Sequence, residues 1–268
     1  MSSVELIGSG TLNGNAIDVL GTRPGHSAGT LTINGDYSPA EDGVLEIEVF
    51  GSTPGSEYDQ LIVNGTATLA GTLRIIPHMD VQDGTPFKPL IAETVVGSFS
   101  RIIVAAESGR STYDVTIAED GIKMTPKTLT VTSFNEWQNA LFSETDMADE
   151  AVGQDASDPD NDGYSNLFEY ALDLNPWVSN TNPVKIEIIE NGIDALGRVK
   201  VRFPWAKEMT DVQYVVQISS DLIAWTDLST ELVDSVDNGN HELLTVEAHV
   251  DPAPTDRLFA RIRVETVQ

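Results

Sequence analysis

A stretch of twelve residues near the middle of the chain constrains its fold and chemistry most strongly. Residues 158–169 read Asp-Pro-Asp-Asn-Asp-Gly-Tyr-Ser-Asn-Leu-Phe-Glu and match the pattern D-x-[DN]-x-[DN]-G-x5-E at every constrained position. The pattern turns carboxylates inward at alternate positions around a glycine that permits a sharp turn. A hard cation such as calcium takes about six to eight oxygen ligands. The sequence therefore predicts a calcium-binding loop, and the alternative is an acidic surface turn.

The predicted ligands are six oxygen donors spaced along this loop: Asp158, Asp160, Asp162, Tyr164, Asn166 and Glu169. The three aspartates would supply carboxylate oxygens, and the tyrosine its backbone carbonyl. The asparagine would coordinate directly or through water, and the glutamate would close the site with both oxygens. A helix-like run over residues 166–174 begins where an exiting helix is expected, and the pair Asn175 and Pro176 ends it.

The charge of the chain supports a cation and limits the partners. Between Lys127 and Lys185 there are 11 acidic residues and no Lys or Arg, so this segment repels itself unless a cation neutralises part of it. The formal net charge of the whole chain is -27. Nucleic acid is therefore not an expected partner, because proteins that bind it carry basic patches. The chain has no cysteine, which removes disulfides and thiol catalysis, and no apolar run long enough to span a membrane.

Residues 1–127 form the first predicted domain, made of short strands between glycine turns. Apolar residues alternate at Leu31 and Ile33 and again at Leu45, Ile47 and Val49, which is the period of a half-buried strand. Gly10 and Gly29 lie 19 residues apart, and Gly29 and Gly65 lie 36 apart, close to one and two solenoid coils of about 20 residues. The sequence predicts a β-solenoid, and the alternative is an antiparallel sandwich.

Residues 128–182 are predicted to form a short helical connector that contains the calcium loop. Ser133 and Glu136 have the spacing of a capping box at a helix start. Phe134, Trp137 and Leu141 then recur at helical spacing, so we expect a buried apolar stripe that ends near residue 142.

Residues 183–268 are predicted to form a third domain with about seven strands. The runs are residues 184–189, 198–203, 212–219, 224–228, 231–236, 243–250 and 258–264. This number is typical of an immunoglobulin or fibronectin type III-like β-sandwich. We expect Trp225 in its core, whereas Trp177 and Trp205 are candidates for stacking a sugar ring.

Three stretches resemble known families. Residues 24–37 (Pro-Gly-His-Ser-Ala-Gly-Thr-Leu-Thr-Ile-Asn-Gly-Asp-Tyr) and 55–73 resemble coils near the end of autotransporter-type passenger domains, with residues 95–99 and 113–117 resembling the closing and capping strands. This resemblance covers about residues 8–126 and implies the end of a β-helix. The calcium loop resembles the EF-hand-like loops of dockerins and thrombospondin type 3 repeats, which often lack a full entering helix. This resemblance implies a bound calcium ion with a structural role.

The order of residues 137–142, 158–172 and 219–225 resembles a C-terminal tail found on large secreted proteins of Verrucomicrobia and Planctomycetes. The resemblance covers about residues 130–268 and implies an extracellular, modular, calcium-bound tail without implying an activity. We expect the chain to be the C-terminal part of a longer protein, with upstream modules of that protein as partners. Cell-surface or glycan ligands are further expected partners.

The chain carries no recognisable catalytic motif. It lacks a G-x-S-x-G elbow, a P-loop and a dinucleotide fingerprint, and its four histidines have no metal-ligand spacing. The only feature that would support the hypothesis of a hydrolase is the abundance of carboxylates. We therefore expect a non-enzymatic structural or adhesive protein at a bacterial cell surface or outside the cell. The alternative is a carbohydrate-binding module of a secreted polysaccharide-degrading system.

Overall fold

A computed structural model describes residues 4–78, 84–189, 197–239, 241–250 and 258–267. Strands account for 56% of the chain and helices for 8%, which confirms the prediction of a mainly β protein. The chain divides into two compact units. The first comprises residues 1–107 and 111–129, and the second comprises residues 108–110 and 130–268. The helical segment therefore groups with the C-terminal strands.

The described part of the first unit contains eleven strands. They are β1 (Val4–Gly8), β2 (Gly10–Asn13), β3 (Ala16–Pro24), β4 (Thr30–Asn34), β5 (Tyr37–Val49), β6 (Gln60–Leu69), β7 (Thr72–Pro77), β8 (Phe87–Gly97), β9 (Arg101–Val104), β10 (Ser111–Ala118) and β11 (Gly121–Thr128).

Most of these strands pair in parallel. One series runs β1-β3-β5-β7-β9, and another runs β2-β4-β6-β8. Tyr37 of β5 also pairs in parallel with Ala67 of β6. Asn13 and Asn34 lie on neighbouring strands, are joined by a side-chain hydrogen bond and are 21 residues apart in the sequence. Asn34 and Asn64, joined in the same way, are 30 residues apart. The spacing of about 20 residues predicted from the glycines therefore fits the first interval and is too short for the second.

The pairing changes to antiparallel at the end of this unit. β8 pairs with β11 through Leu90 and Ile122, and β11 pairs with β10. These strands thus place an antiparallel hairpin beside the last parallel coil.

Buried apolar side chains from most of these strands form the core of the first unit. The alternation predicted at Leu31 and Ile33 and at Leu45, Ile47 and Val49 is confirmed, since all five side chains are buried. The core continues along the unit through large apolar side chains that include Tyr37, Leu61, Leu73, Ile75, Leu90 and Met124.

The second unit contains three helices and seven strands among its described residues. The helices are α1 (Phe134–Leu141), α2 (Glu144–Ala148) and α3 (Asn166–Ala171). The strands are β12 (Lys185–Ile189), β13 (Gly197–Ala206), β14 (Val212–Ser219), β15 (Thr226–Leu228), β16 (Thr230–Asp237), β17 (His241–Val250) and β18 (Phe259–Thr266). Each predicted run has a counterpart, with ends that differ by at most about three residues.

These seven strands form two antiparallel sheets. One has the order β12-β13-β17-β16 and the other the order β15-β14-β18. Phe203 of β13 contacts Tyr214 of β14 edge to face at 4.9 Å, which brings a side chain of each sheet together. Phe203 is fully buried, as are Val199 and Val201 on the same strand.

The start of α1 differs in detail from the prediction. Ser133 is the N-cap and its hydroxyl accepts from the Glu136 N–H at 3.3 Å, as expected. The Glu136 carboxylate accepts instead from the backbone N–H of Thr132 at 2.8 Å, so the reciprocal half of the predicted capping box is wrong. A complete capping box occurs at α2, where Ser143 Oγ accepts the Asp146 N–H at 3.2 Å and the Asp146 carboxylate accepts the Ser143 N–H at 2.9 Å.

Candidate metal centre

The three aspartates of the predicted loop come together in the structure. One carboxylate oxygen from each of Asp158, Asp160 and Asp162 lies within 4.8 Å of the other two, and all three residues are half-buried. Three negative charges at this separation repel one another unless a cation lies between them. Within the described ranges, no other group of three or more acidic or histidine side chains has this geometry.

Hydrogen bonds within the loop give it the tight turn that the sequence predicts. The Asp158 carboxylate accepts the N–H of Asp162 at 3.2 Å and that of Gly163 at 2.9 Å. Gly163 has φ of 94°, in the left-handed region, which confirms the need for glycine at this position. The Asp162 carboxylate then accepts the N–H of Tyr164 at 2.8 Å. These bonds hold the carboxylates on the inner side of the turn.

Glu169 lies in α3 directly after the loop and is fully buried. Among the described residues, neither of its carboxylate oxygens has a hydrogen-bond partner. Burial, together with the charges of Asp160, Asp162 and Asp158, raises the pKa of Glu169 to about 9. A buried carboxylate that faces other carboxylates and has no donor is costly to the folded chain, and a bound cation would remove that cost.

Asn166, the first residue of α3, also has an unused oxygen. Its amide nitrogen donates to the carbonyls of Val152 and Gln154, each at 2.7 Å, while its Oδ1 is buried without a partner. Asp160 Oδ2 is also buried without a hydrogen-bond partner among the described residues. With the two oxygens of Glu169, four acceptor atoms on three predicted ligands therefore lack a donor. Each unsatisfied buried acceptor costs about 1–3 kcal/mol.

Tyr164 is the predicted ligand about which the structure says least. Its ring stacks on Phe168 at 5.1 Å, and its N–H is bonded to Asp162. The proposed coordination by its backbone carbonyl stays a prediction.

A contact that sequence reasoning missed joins the loop to the chain that follows α3. The Asn180 N–H donates to Asp162 Oδ2 at 2.6 Å, so residues after the helix return to the loop. The same carboxylate thus accepts one N–H from within the loop and one from outside it. The sequence predicts a helix over residues 166–174 that Asn175 and Pro176 end, whereas α3 already ends at Ala171. The pattern gives no indication of where the chain goes next.

α3 is also anchored by hydrogen bonds and aromatic packing through Tyr170. The Tyr170 hydroxyl donates to Asp211 Oδ1 at 2.9 Å, and the Phe134 N–H donates to Asp211 Oδ2 at 2.7 Å. The Tyr170 ring lies 5.8 Å from that of Trp137, which is buried as predicted and donates its indole N–H to the Gly109 carbonyl. α3 is therefore held between the loop and a buried aromatic cluster.

A second buried polar cluster follows α3, and sequence reasoning did not find it. The Asp173 carboxylate accepts from Ser108 Oγ at 2.9 Å and contacts His241 Nδ1 at 3.1 Å and Arg110 Nη1 at 3.7 Å. Serine and histidine both bond to the aspartate, which differs from the arrangement in which histidine bridges serine and aspartate. His241 is the first residue of β17 and a partner of this buried carboxylate.

The four tryptophans pack against other side chains of the second unit. Trp205 contacts Phe203 and Tyr214 edge to face. Trp225 is half-buried with the Arg261 guanidinium 3.9 Å above its ring, so the expectation that it fills the core is wrong. The cation covers the ring face because β18 runs beside β14, which no local pattern reveals.

Comparison with protein-family models, curated proteins and solved structures finds no match to this chain. Within the described ranges, no helix has the length and apolar character needed to cross a bilayer.

Proposed function

We propose that residues 158–169 bind a calcium ion that stabilises the second unit of a non-catalytic, structural protein. The observation that carries the proposal is Glu169, fully buried with two unpartnered carboxylate oxygens beside three further carboxylates. An acidic surface turn, the alternative for this stretch, would leave such a side chain in water rather than bury it.

Calcium suits the donor set better than other common metals. All six predicted donors are oxygens, whereas zinc sites usually contain nitrogen or sulfur ligands. Magnesium demands near-ideal octahedral geometry and keeps several waters, while calcium accepts about six to eight oxygens in a flexible arrangement. A glutamate that offers both oxygens from the exiting helix is the usual last ligand of such a loop.

The ion would act by fixing α3 against the rest of its unit. α3 has six residues, which is too short for a helix to be stable by itself. Asn166 and Glu169 are predicted ligands within α3, and Tyr170 of the same helix donates to Asp211. Asp173, just after the helix, contacts Arg110. Binding energy at the loop would therefore become folding energy for the helical segment and the contacts that depend on it.

For the first unit we propose a β-solenoid, the end of a β-helix. The support is the repetition of parallel pairing through β1-β3-β5-β7-β9 and β2-β4-β6-β8, which an antiparallel sandwich would not produce. Stacked Asn13, Asn34 and Asn64 side chains, bonded at 2.7 and 2.8 Å, are a further sign of repeated coils.

For the C-terminal strands we propose an immunoglobulin or fibronectin type III-like sandwich. The order β12-β13-β17-β16 corresponds to the A-B-E-D sheet of that architecture, and β15-β14-β18 corresponds to part of its second sheet. The contact between Phe203 and Tyr214 joins the two sheets.

Together these features support a structural or adhesive region of a large bacterial surface or secreted protein. Calcium sites of extracellular modules have dissociation constants of about 10⁻⁴–10⁻³ M, so an external location would keep the loop loaded. The other candidate, a carbohydrate-binding module, needs an exposed aromatic face. It has less support, because Trp205 and Trp225 pack against neighbouring side chains.

Thermal unfolding of the full chain in calcium and in EDTA tests the proposal. Calcium at about a hundred times its dissociation constant should add ~2.7 kcal/mol, a rise in Tm of several degrees. The double variant Asp160→Ala, Asp162→Ala should lose this response. Glu169→Gln should unfold in EDTA at the same temperature as the parent or higher, because it removes a buried charge, yet lose most of the calcium response.

The matched control removes equal charge from the same segment outside the loop. Glu150 and Asp155 are exposed, and Glu150→Gln, Asp155→Asn should keep the full response to calcium. If the parent does not respond to calcium, or if the control loses the response as the loop variants do, residues 158–169 are an acidic turn and the proposal fails.

A further inference from the structure

We infer that the N-terminal edge of the first unit is a stacking surface for one more parallel β-coil. β1 pairs with β3 and β2 pairs with β4, and among the described residues no strand pairs with the opposite edge of either. An unpaired edge presents a row of N–H and C=O groups that can accept another strand. The inference rests on the solenoid part of the proposed function and is independent of its calcium part.

The apolar core is uncovered at this edge. Val4 is 43% exposed, whereas its parallel partner Val19 is fully buried. Leu12 is half-buried, whereas its partner Ile33 is fully buried. At both positions the apolar side chain is fully buried in the second coil and at least partly exposed in the first. Repeat proteins either cover such a surface with another repeat or give it a polar cap, and these side chains are apolar.

The hydrogen bonds between the stacked side chains of Asn13, Asn34 and Asn64, here called the asparagine ladder, all run in one direction. That direction indicates which group an added coil would place against Asn13. Asn64 Nδ2 donates to Asn34 Oδ1, and Asn34 Nδ2 donates to Asn13 Oδ1, so each amide donates towards the preceding coil. Asn13 Nδ2 has no acceptor among the described residues. A further coil that continued this ladder would place a side-chain oxygen over Asn13, which is exposed here.

A second column of hydrogen bonds, from backbone N–H groups to side-chain oxygens, also lacks an acceptor at its first position. Asn15 Oδ1 accepts the Asp36 N–H at 2.9 Å, and Asp36 Oδ1 accepts the Thr66 N–H at 2.9 Å. Here the preceding coil offers an oxygen to the backbone of the following one. The N–H of Asn15, at the start of the column, has no such acceptor among the described residues. The occupant must supply oxygens at both ladder positions and apolar side chains between them.

These requirements describe a coil of the same kind and disfavour a second copy of the chain. In the last coil β8 already pairs with the antiparallel strand β11, so that end of a copy does not present β8 as a free parallel strand. The occupant that fits is one further coil joined ahead of β1.

The test adds this coil to the full chain. Val4 pairs with Val19, and residues 9–18 directly precede Val19. A duplicate of residues 9–18 placed directly before Val4 would therefore supply the part of a coil that leads into β1. The Tm of the first unit should rise by about 2–4 °C, and hydrogen exchange of β2 amides should slow. Two controls of equal length carry either Ser at the copied Leu12 and Ala16 or Ala at the copied Asn13 and Asn15. Both should give a smaller rise.

Three results would overturn the inference. They are an unchanged Tm, an equal rise with the controls, and a concentration-dependent dimer of the parent that the extension abolishes, since this would assign the edge to a second copy. Measuring in both calcium and EDTA separates this test from that of the loop. The effect of the extension should be the same in both, whereas the calcium response belongs to the second unit.

Discussion

Two buried carboxylates show how neighbouring groups decide whether a charge is tolerated. Asp59 in the first unit is 2% exposed, and its two oxygens accept the N–H groups of Gly29 and Glu48, each at 2.9 Å. Burial raises its pKa to about 7, and these two donors oppose the rise. Glu169 has no donors and faces three aspartates, and its pKa rises to about 9. The first carboxylate is satisfied by backbone donors, whereas the second has no donor among the described residues.

At the residue scale, Asp59→Ala should lower the free energy of unfolding by about 2–4 kcal/mol, because it leaves two buried backbone N–H groups without acceptors. Denaturant unfolding of the full chain measures this loss. Asp120→Ala is the control, since Asp120 forms an exposed ion pair with Lys88 and should contribute less than about 1 kcal/mol. Equal losses for the two variants would contradict the structural role of Asp59.

At the element scale, α3 shows how a short helix becomes stable through its surroundings. The residues that face the loop, Asn166 and Glu169, contribute unsatisfied oxygens rather than packing. Stability comes instead from Tyr170, which is fully buried among Phe134 and Trp137 and bonded to Asp211. The helix is thus a link between the acidic loop and the rest of its unit.

Tyr170→Phe should lower the free energy of unfolding of the second unit by about 1–2 kcal/mol, because the ring packing is kept while one buried hydrogen bond to a charged group is lost. Tyr164→Phe makes the same chemical change on a half-buried ring with no hydrogen bond from its hydroxyl among the described contacts, and should be nearly neutral. Urea unfolding compares the two variants. A neutral Tyr170→Phe would show that the Asp211 contact does not anchor α3.

At the scale of the whole molecule, the two units differ in how they are stabilised. The first relies on an apolar core and repeated parallel pairing. The second includes short helices around the acidic loop together with seven antiparallel strands. All four tryptophans lie in the second unit, so their emission reports on that unit alone.

Calcium should therefore raise the unfolding temperature followed by tryptophan emission by several degrees, because the proposed site lies in the second unit. Far-UV circular dichroism follows strands of both units and should retain a component that calcium does not move. The double variant Asp160→Ala, Asp162→Ala serves as the control that removes the shift. A calcium shift of the same size in every component would contradict a site confined to the second unit.

Much of the local structure could be predicted from the sequence. The bounds of α1 and of the seven C-terminal strands follow the apolar period closely, because burial of one face imposes that period on neighbouring residues. The cluster of Asp158, Asp160 and Asp162 was also predictable, since a loop of this spacing turns its own carboxylates inward. The contact between Asn180 and Asp162 was not predictable, because no short-range pattern records where a chain returns.

What the sequence determined by itself is therefore local: strand and helix positions, the acidic loop, and the glycine at its turn. The tertiary structure decided between parallel and antiparallel pairing of the N-terminal strands, which the sequence had left open. It alone decided that Asp173 meets Arg110 and His241, and that Arg261 covers Trp225. The physical reason is separation along the chain. Local geometry follows from neighbouring residues, whereas strand direction and buried polar pairs depend on contacts between distant segments that form only when the core closes.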